Sequence, residues 1–293
     1  MGLMRERSGV AHDRAVMPLR VGFADTLSGQ LHFRACGAGP DLVLLPWAPA
    51  SGRMYDIIMP HLARSGFRAI AFDLAGTGRS HKNCRNWTVQ QYASDILEAC
   101  GSLHTVPYTV IGGRFGASVA IEMLLAAPAQ VTGAVLDGVL GLAPEELRKV
   151  TTLTAGLSPK LSNDGAHRGF AFEVAVRMLK DWDPGFELTP ESLPLVYEYM
   201  RDYLELGYEA IVAAVEADAR GGRGGYDVLA RLGEVSQRVL VMTSDTDPLA
   251  SAYNRALERA RNSRGHKFVG NHPMLTPARA AEYAQLVVNF ARR

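Results

Sequence analysis

Short apolar runs alternate along this chain with longer segments in which apolar residues recur at helical spacing. This alternation favours an α/β fold, in which a mainly parallel sheet carries helices on its faces. A gap near Ser28 and Gly29 separates the first two runs and predicts an opening hairpin. The predicted strands are "LRVGFADT", "QLHFRACG", "DLVLLPW", "FRAIAFD", "PYTVIGG", "VTGAVLDG", "QRVLVMTSD" and, more weakly, "HKFVG".

Four segments between these runs have the spacing of amphipathic helices. One of them opens at Thr88, a residue type that commonly caps a helix N-terminus. The predicted helices are "GRMYDIIMPHLARSG", "TVQQYASDILEACGSL", "FGASVAIEMLLAA" and "PARAAEYAQLVVNFARR".

The alternation stops between residues 142 and 225, where no run has convincing strand character. Residues 191–220 are helical in pattern, and the Gly-rich stretch 220–227 is typical of a hinge or linker. We therefore predict a loose N-terminal tail (1–18), an α/β core (19–141 and 226–293) and a helical lid insertion (142–225). The lid is expected to lie over the carboxyl ends of the strands, where ligands bind in doubly wound sheets.

The composition excludes several classes of partner and site but does not identify a function. The 293 residues include 31 basic and 30 acidic side chains, so no long-range field attracts the chain to nucleic acid or to a membrane surface. The three cysteines have no CxxC spacing, which disfavours a disulfide framework and a zinc site. We expect a cytoplasmic protein with a small-molecule substrate, no cofactor and no metal; a homodimer stays open.

The stretch "TVIGGRFGASVA" has the outline of a nucleophile elbow, a strand that turns sharply through small residues into a helix. Its apex is Arg114, which cannot serve as an acyl acceptor. Gly112 and Gly116 are expected to be required, because a Cβ at either position would crowd the turn. The N–H of Phe115 would begin the following helix, where an anion is favoured.

Four segments in order resemble the α/β-hydrolase superfamily over roughly residues 19–290. They are "DLAGTGRS" after the fourth strand, "GGRFG" at the elbow, "TSDTDPLA" and "GNHPMLTP". The resemblance implies the α/β-hydrolase fold, with Asp247 in the place of the family's acid and His272 in the place of its late histidine. Two features depart from the family: Arg114 replaces the nucleophile, and "PWAPA" (46–50) replaces the usual His-Gly of the oxyanion loop.

These positions predict a site with divided roles. Arg114 is expected to hold an anionic substrate group or a developing oxyanion through its planar fork of donors. The N–H groups of Phe115 and Ala48 would assist it, and Trp47 would either fill the pocket or support its loop. His272 is the predicted general base, oriented by Asp247.

Alternatives remain at this point. Asp137, at the end of the sixth strand, is a second candidate for the acid that orients His272. Arg114 could instead pair with Asp73, Asp137 or Asp247 and block a dead site. Ser118 and Cys84 are weak candidates for a displaced nucleophile, so we do not expect a covalent acyl-enzyme.

Three functions follow from these readings. The first is an enzyme of hydrolase or lyase type that uses His272 and Arg114 on an apolar substrate with an acidic or enolisable head. The second is a non-catalytic ligand-binding pseudoenzyme, and the third is an ordinary serine esterase.

Overall fold

The computed structural model describes residues 18–47, 50–84, 86–143, 145–146, 162–182, 185–205, 226–247, 249–275 and 277–293. The predicted N-terminal tail up to residue 17, Ala48, and the parts of the predicted lid at 147–161 and 206–225 lie outside the described residues.

Eight strands form one mainly parallel sheet in the order β1-β2-β4-β3-β5-β6-β7-β8. β1 pairs antiparallel with β2, and β2 pairs antiparallel with β4; the pairs from β4 to β8 are all parallel. All eight strands coincide with predicted runs. They are β1 (Arg20–Thr26), β2 (Gly29–Cys36), β3 (Asp41–Leu45), β4 (Arg68–Phe72), β5 (Tyr108–Gly113), β6 (Val131–Asp137), β7 (Arg238–Ser244) and β8 (Ser263–Phe268).

The central strands are apolar along nearly their whole length because both of their faces are covered. Every residue of β5 is buried, as are four of the five residues of β3. The edge strand β1 has mostly exposed or half-buried residues, as expected where a sheet meets solvent.

The described residues form eight α-helices, and all but the two between residues 166 and 205 pack on the faces of the sheet. They are α1 (Met59–Arg64), α2 (Val89–Ser102), α3 (Phe115–Ala126), α4 (Ala166–Trp182), α5 (Leu193–Glu205), α6 (Val228–Glu234), α7 (Ser251–Arg259) and α8 (Ala280–Ala291). One apolar cluster joins the sheet to α2, α3, α6 and α7, and a second joins the other face to α1 and α8. The strand order and the helices on both faces confirm the predicted doubly wound α/β sheet.

Two local details test the helix predictions. Thr88 caps α2 as expected, since its side chain accepts from the N–H of Gln91, whose own side chain accepts from the N–H of Thr88. The predicted single helix at 52–66 is instead a 3₁₀ turn (Gly52–Ile57) followed by α1. Pro60 lies in the first turn of α1, and inside a continuous helix its ring would clash with the preceding turn.

The described part of residues 142–225 contains α4 and α5, called the insertion helices below, and no strand. They pack together around Ala175, Leu179 and Val196. Met178 and Tyr199 carry the contact onto Trp47, which follows β3 at the carboxyl edge of the sheet. None of the described helices is long and apolar enough to cross a membrane.

Candidate functional site

The elbow has the strained geometry that its sequence predicts. Arg114 joins β5 to α3 with φ 48° and ψ −107°. A positive φ is costly for a residue with a side chain and is found mainly where surrounding structure enforces it. A Cβ on Gly112 would lie 2.2 Å from the carbonyl oxygen of Gly116, and one on Gly116 would lie 2.3 Å from that of Leu45. Both glycines are therefore needed for the turn to form.

Arg114 projects into a buried polar cluster at the carboxyl edge of the sheet. Its Nη2 lies 3.3 Å from Oδ1 of Asp247, and its guanidinium carbon is 5.5 Å from the centre of the Trp47 ring. Burial lowers the pKa of the Arg114 guanidinium and Asp247 opposes that shift, but an arginine stays protonated at neutral pH. Gly138, just after β6, leaves room for this arrangement, since a Cβ added at that position would lie 3.3 Å from Arg114 Cγ.

Asp247 lies in the segment after β7, where the sequence placed it. Its Oδ1 also accepts from the N–H of Leu249 at 2.8 Å. It makes no described contact with His272, so the predicted Asp247–His272 pair is wrong. The guanidinium of Arg114 carries a full positive charge and attracts a carboxylate more strongly than a neutral imidazole does, so Asp247 pairs with Arg114.

His272 pairs with Asp137 instead, the acid that the sequence left as an alternative. Nε2 of His272 lies 2.9 Å from Oδ1 of Asp137, and the hydroxyl of Tyr283 donates to the other carboxylate oxygen at 3.1 Å. The histidine is 1% exposed. A buried carboxylate thus holds both the late histidine and the C-terminal helix α8.

The bonds at His272 fix its tautomer. The N–H of Met274 donates to Nδ1 at 3.3 Å, so Nδ1 is an acceptor and Nε2 carries the proton and donates a hydrogen bond to Asp137. Both ring nitrogens therefore make hydrogen bonds, and the basic nitrogen, Nδ1, makes the longer of the two.

Asp73 is excluded as the partner of Arg114. Its carboxylate accepts from the ring of His32 and from the backbone N–H groups of Gly52 and Arg79, at 2.8 to 2.9 Å. Burial alone would raise the pKa of Asp73, but these hydrogen bonds together hold it below the usual value. Asp73 therefore stabilises the "DLAGTGRS" turn through these hydrogen bonds.

The two weak nucleophile candidates do not face the cluster. Ser118 is fully buried within α3, and Cys84 packs in the apolar core near Tyr92. Among the described residues no group of three or more His, Cys, Asp or Glu side chains is placed to hold a metal ion.

A small cavity separates the insertion helices from the loop after β3. Its volume is about 10 Å³, which is room for one water molecule. It is lined by Trp47, Ala50, Val174, Ala175, Met178, Tyr199, Asp202 and Tyr203.

Asp202 is the site residue that the sequence reasoning missed. This carboxylate on α5 is 7% exposed and bonds across to Ser51 in the loop after β3. The sequence did carry one signal. Asp202 lies beside Tyr203 and three residues after Tyr199 on an otherwise apolar helix face, where a buried charge needs a partner.

Comparison with known proteins agrees with the architecture. A family model described as the alpha/beta hydrolase fold matches residues 40–168. Zearalenone hydrolase from Bionectria ochroleuca is 29% identical over 177 residues, which cover 54% of this chain and 67% of that protein. Proline iminopeptidase from Xylella fastidiosa (strain 9a5c) is 31% identical over 122 residues, which cover 40% of this chain and 39% of that protein.

The fold likeness extends over nearly the whole chain. Bromoperoxidase from Bacillus anthracis superposes with a TM-score of 0.77 and 17% identity, covering 94% of this chain and 100% of that one. At that identity the likeness shows the fold and no more. With the strand order, the elbow and the match over residues 40–168 taken together, the chain has the α/β-hydrolase fold.

Proposed function

We propose that this chain is a small-molecule enzyme of the α/β-hydrolase type that works without a covalent acyl-enzyme. The observation that carries the proposal is the placement of Arg114 at the apex of a strained elbow. That is the point at which the fold presents a side chain to its pocket. A guanidinium there cannot accept an acyl group but can stabilise negative charge.

Arg114 is the proposed anchor for an anionic or enolisable head group. Its Nη2 lies 3.3 Å from Oδ1 of Asp247, which is longer than the 2.7–2.9 Å typical of charge-assisted bonds. Asp247 is therefore proposed to orient the guanidinium. The N–H of Phe115, at the start of α3, has no partner within its helix and would add to the anion site.

His272 is the proposed general base, with Asp137 in place of Asp247 as its orienting acid. Since Nε2–H is donated to Asp137, the proton-accepting atom is Nδ1. The N–H of Met274 holds that atom at 3.3 Å, so catalysis requires a substrate or water proton to take its place. The abstracted proton then resides on Nδ1 while Arg114 balances the charge left on the substrate.

The proposed substrate has an apolar body and an acidic or enolisable head. Trp47, Met178 and Tyr199 supply apolar and aromatic surface next to Arg114. Hydrolysis is the first reaction class to assay, because the named relatives include a hydrolase and an iminopeptidase; elimination and decarboxylation follow.

The test is a substrate screen over esters, lactones and β-keto acids, followed by kinetics of Arg114→Ala. Arg114→Ala is expected to raise KM and lower kcat together, because the anchor acts in both the bound and the transition state. Arg114→Lys, which keeps the charge but loses the fork, should be intermediate. Unchanged turnover in Arg114→Ala would remove the proposed role.

A ligand-binding protein without turnover is the second candidate. It is favoured by one observation, the engagement of both His272 nitrogens in a ring that is 1% exposed. Here His272→Gln should leave the affinity for small carboxylates unchanged, and no screened compound should yield product. Product formation that His272→Gln abolishes decides for the enzyme.

A further inference from the structure

The cavity below the insertion helices is closed in this structure. At about 10 Å³ it admits one water molecule, whereas ligand pockets usually measure hundreds of Å³. A ligand that reaches Trp47 and Arg114 from this side must therefore separate α5 from the loop after β3. What holds these two elements together decides access.

The polar contact between them is made by Asp202 and Ser51. The N–H of Ser51 donates to Oδ2 of Asp202 at 2.9 Å, and its hydroxyl lies 2.8 Å from Oδ1 and 2.9 Å from Oδ2. Both residues are buried, with exposures of 7% for Asp202 and 4% for Ser51. Arg53, two residues after Ser51, adds ion pairs to α5, and Trp47, Met178 and Tyr199 add apolar contact.

Charged neighbours surround this contact on several sides. Arg53, which belongs to the 3₁₀ turn, lies 3.9 Å from Asp202 and 3.2 Å from Glu198. Glu198 precedes Asp202 by one turn of α5. Asp73, at the end of β4, repels the Asp202 charge, and Tyr199 is the titratable neighbour toward Arg114. α4 lines the cavity with Val174, Ala175 and Met178, which carry no charge.

We infer that Asp202 acts through Ser51 as a positioning residue, and that their hydrogen bonds form a latch which closes the pocket and must release before a ligand enters. The inference rests on the proposed function only in taking this cavity as the ligand's way in.

The latch has a direction in pH. Burial, only partly offset by the bonds from Ser51, raises the pKa of Asp202 from 3.8 to about 6. When α5 separates, the carboxylate returns to water and to its ordinary pKa. The closed form therefore binds a proton more tightly than the open form, so closure is favoured at low pH and opening as pH rises through 6.

Amide hydrogen exchange at Ser51 measures how often the latch opens, because the N–H of Ser51 donates to Asp202. Exchange is measured with residue-level resolution at pH 4.5 and 7.5 and divided by the intrinsic rate at each pH. In the full chain, the protection factor of Ser51 is expected to fall about 30-fold between the two values. The amide of Ala120, buried in α3, should show no such fall.

Matched variants separate the latch from general stability. Asp202→Asn keeps the shape and removes the ionisation, so its protection factor should be flat across this range. Glu198→Gln removes a neighbouring carboxylate that is 43% exposed and should keep the wild-type fall. Ser51→Ala, which retains the backbone donor but loses the hydroxyl, should be less protected at both pH values.

An equal protection factor at both pH values in the wild type, or an unchanged fall in Asp202→Asn, overturns the inference. If Asp202→Asn does not fold, Ser51→Ala decides, and protection equal to wild type counts against the latch. Arg114→Ala should not alter this exchange. A pH-dependent latch with turnover independent of Arg114 would therefore refute the proposed function and leave the latch standing.

Discussion

At the scale of single residues, Arg114 determines which partners Asp247 and Asp137 have. Arg114 draws Asp247 away from the late histidine, and His272 turns to Asp137. Both acids of the cluster thus have a defined partner. The result is an ion pair and a carboxylate–imidazole pair side by side, in place of one acid–histidine–nucleophile relay.

This pairing predicts that a nucleophile alone does not restore esterase chemistry. In Arg114→Ser the new hydroxyl would have a general base only if it displaced the N–H of Met274 from Nδ1 of His272, since Nε2–H is donated to Asp137. We expect no p-nitrophenyl ester hydrolysis above background and no fluorophosphonate adduct by intact mass, in the variant or in the wild type. An adduct on the wild type would point to a serine nucleophile and contradict the proposed mechanism.

The sequence located these residues but not their bonds. Arg114, Asp247 and His272 each follow a strand in the order the resemblance implied. Which acid each would meet depended on competition between charges in three dimensions, which spacing along the chain does not encode. Asp202 escaped prediction for the same reason, since its partner Ser51 is 151 residues away.

At the scale of elements, the elbow is fixed by close backbone contact. Gly116 lies where α3 passes the end of β3, and no side chain fits between them. The apex strain at Arg114 persists because β5 and the first ten residues of α3 are buried.

Gly116→Ala should therefore destabilise the fold, by about 1–3 kcal/mol or more, as overpacking of a tight contact does. The matched control is Gly101→Ala near the end of α2, where a Cβ would meet nothing within 4 Å. Alanine is favoured over glycine in a helix by up to about 1 kcal/mol, so the control should be neutral or stabilising. Urea unfolding of both variants measures the difference, and equal midpoints would contradict the crowding argument.

Element prediction succeeded where packing imposes a pattern. The central strands were found because buried parallel strands are uniformly apolar, and β1 and β2 were found as a hairpin separated near Ser28 and Gly29. β8 gave a weaker signal because only Phe268 of its residues is buried. α7 was missed as a helix because only Ala252 and Ala256 of its residues are buried, which leaves too little apolar periodicity to recognise. The helix at 52–66 was merged across Pro60 because its apolar spacing continues through the break.

At the scale of the whole molecule, two buried carboxylates respond to pH in opposite senses. Asp73 ties the β2 strand, the Gly52 turn and the "DLAGTGRS" turn together, and its pKa is lowered by those hydrogen bonds. Its contribution to stability is present above its unfolded pKa and is lost as pH falls toward the folded one. Asp202, with its raised pKa, favours closure of the insertion helices at low pH instead.

Asp73→Asn should accordingly lower the thermal midpoint at pH 7, with the gap to wild type shrinking below about pH 4 as wild-type Asp73 itself protonates. Asp25→Asn, an exposed carboxylate on the edge strand β1, is the control and should leave the midpoint unchanged. A gap that is constant from pH 7 to pH 3 would show that the charge of Asp73 is not what stabilises the turn.

Arg114 as the receiver of a ligand's negative charge is the claim on which both candidate functions depend. Calorimetric titration with phenylacetate, in the wild type and in Arg114→Ala, tests it most directly. We predict a Kd at least about tenfold weaker in the variant, as expected for the loss of a hydrogen bond to a charged group. An equal Kd in the two proteins would contradict the account.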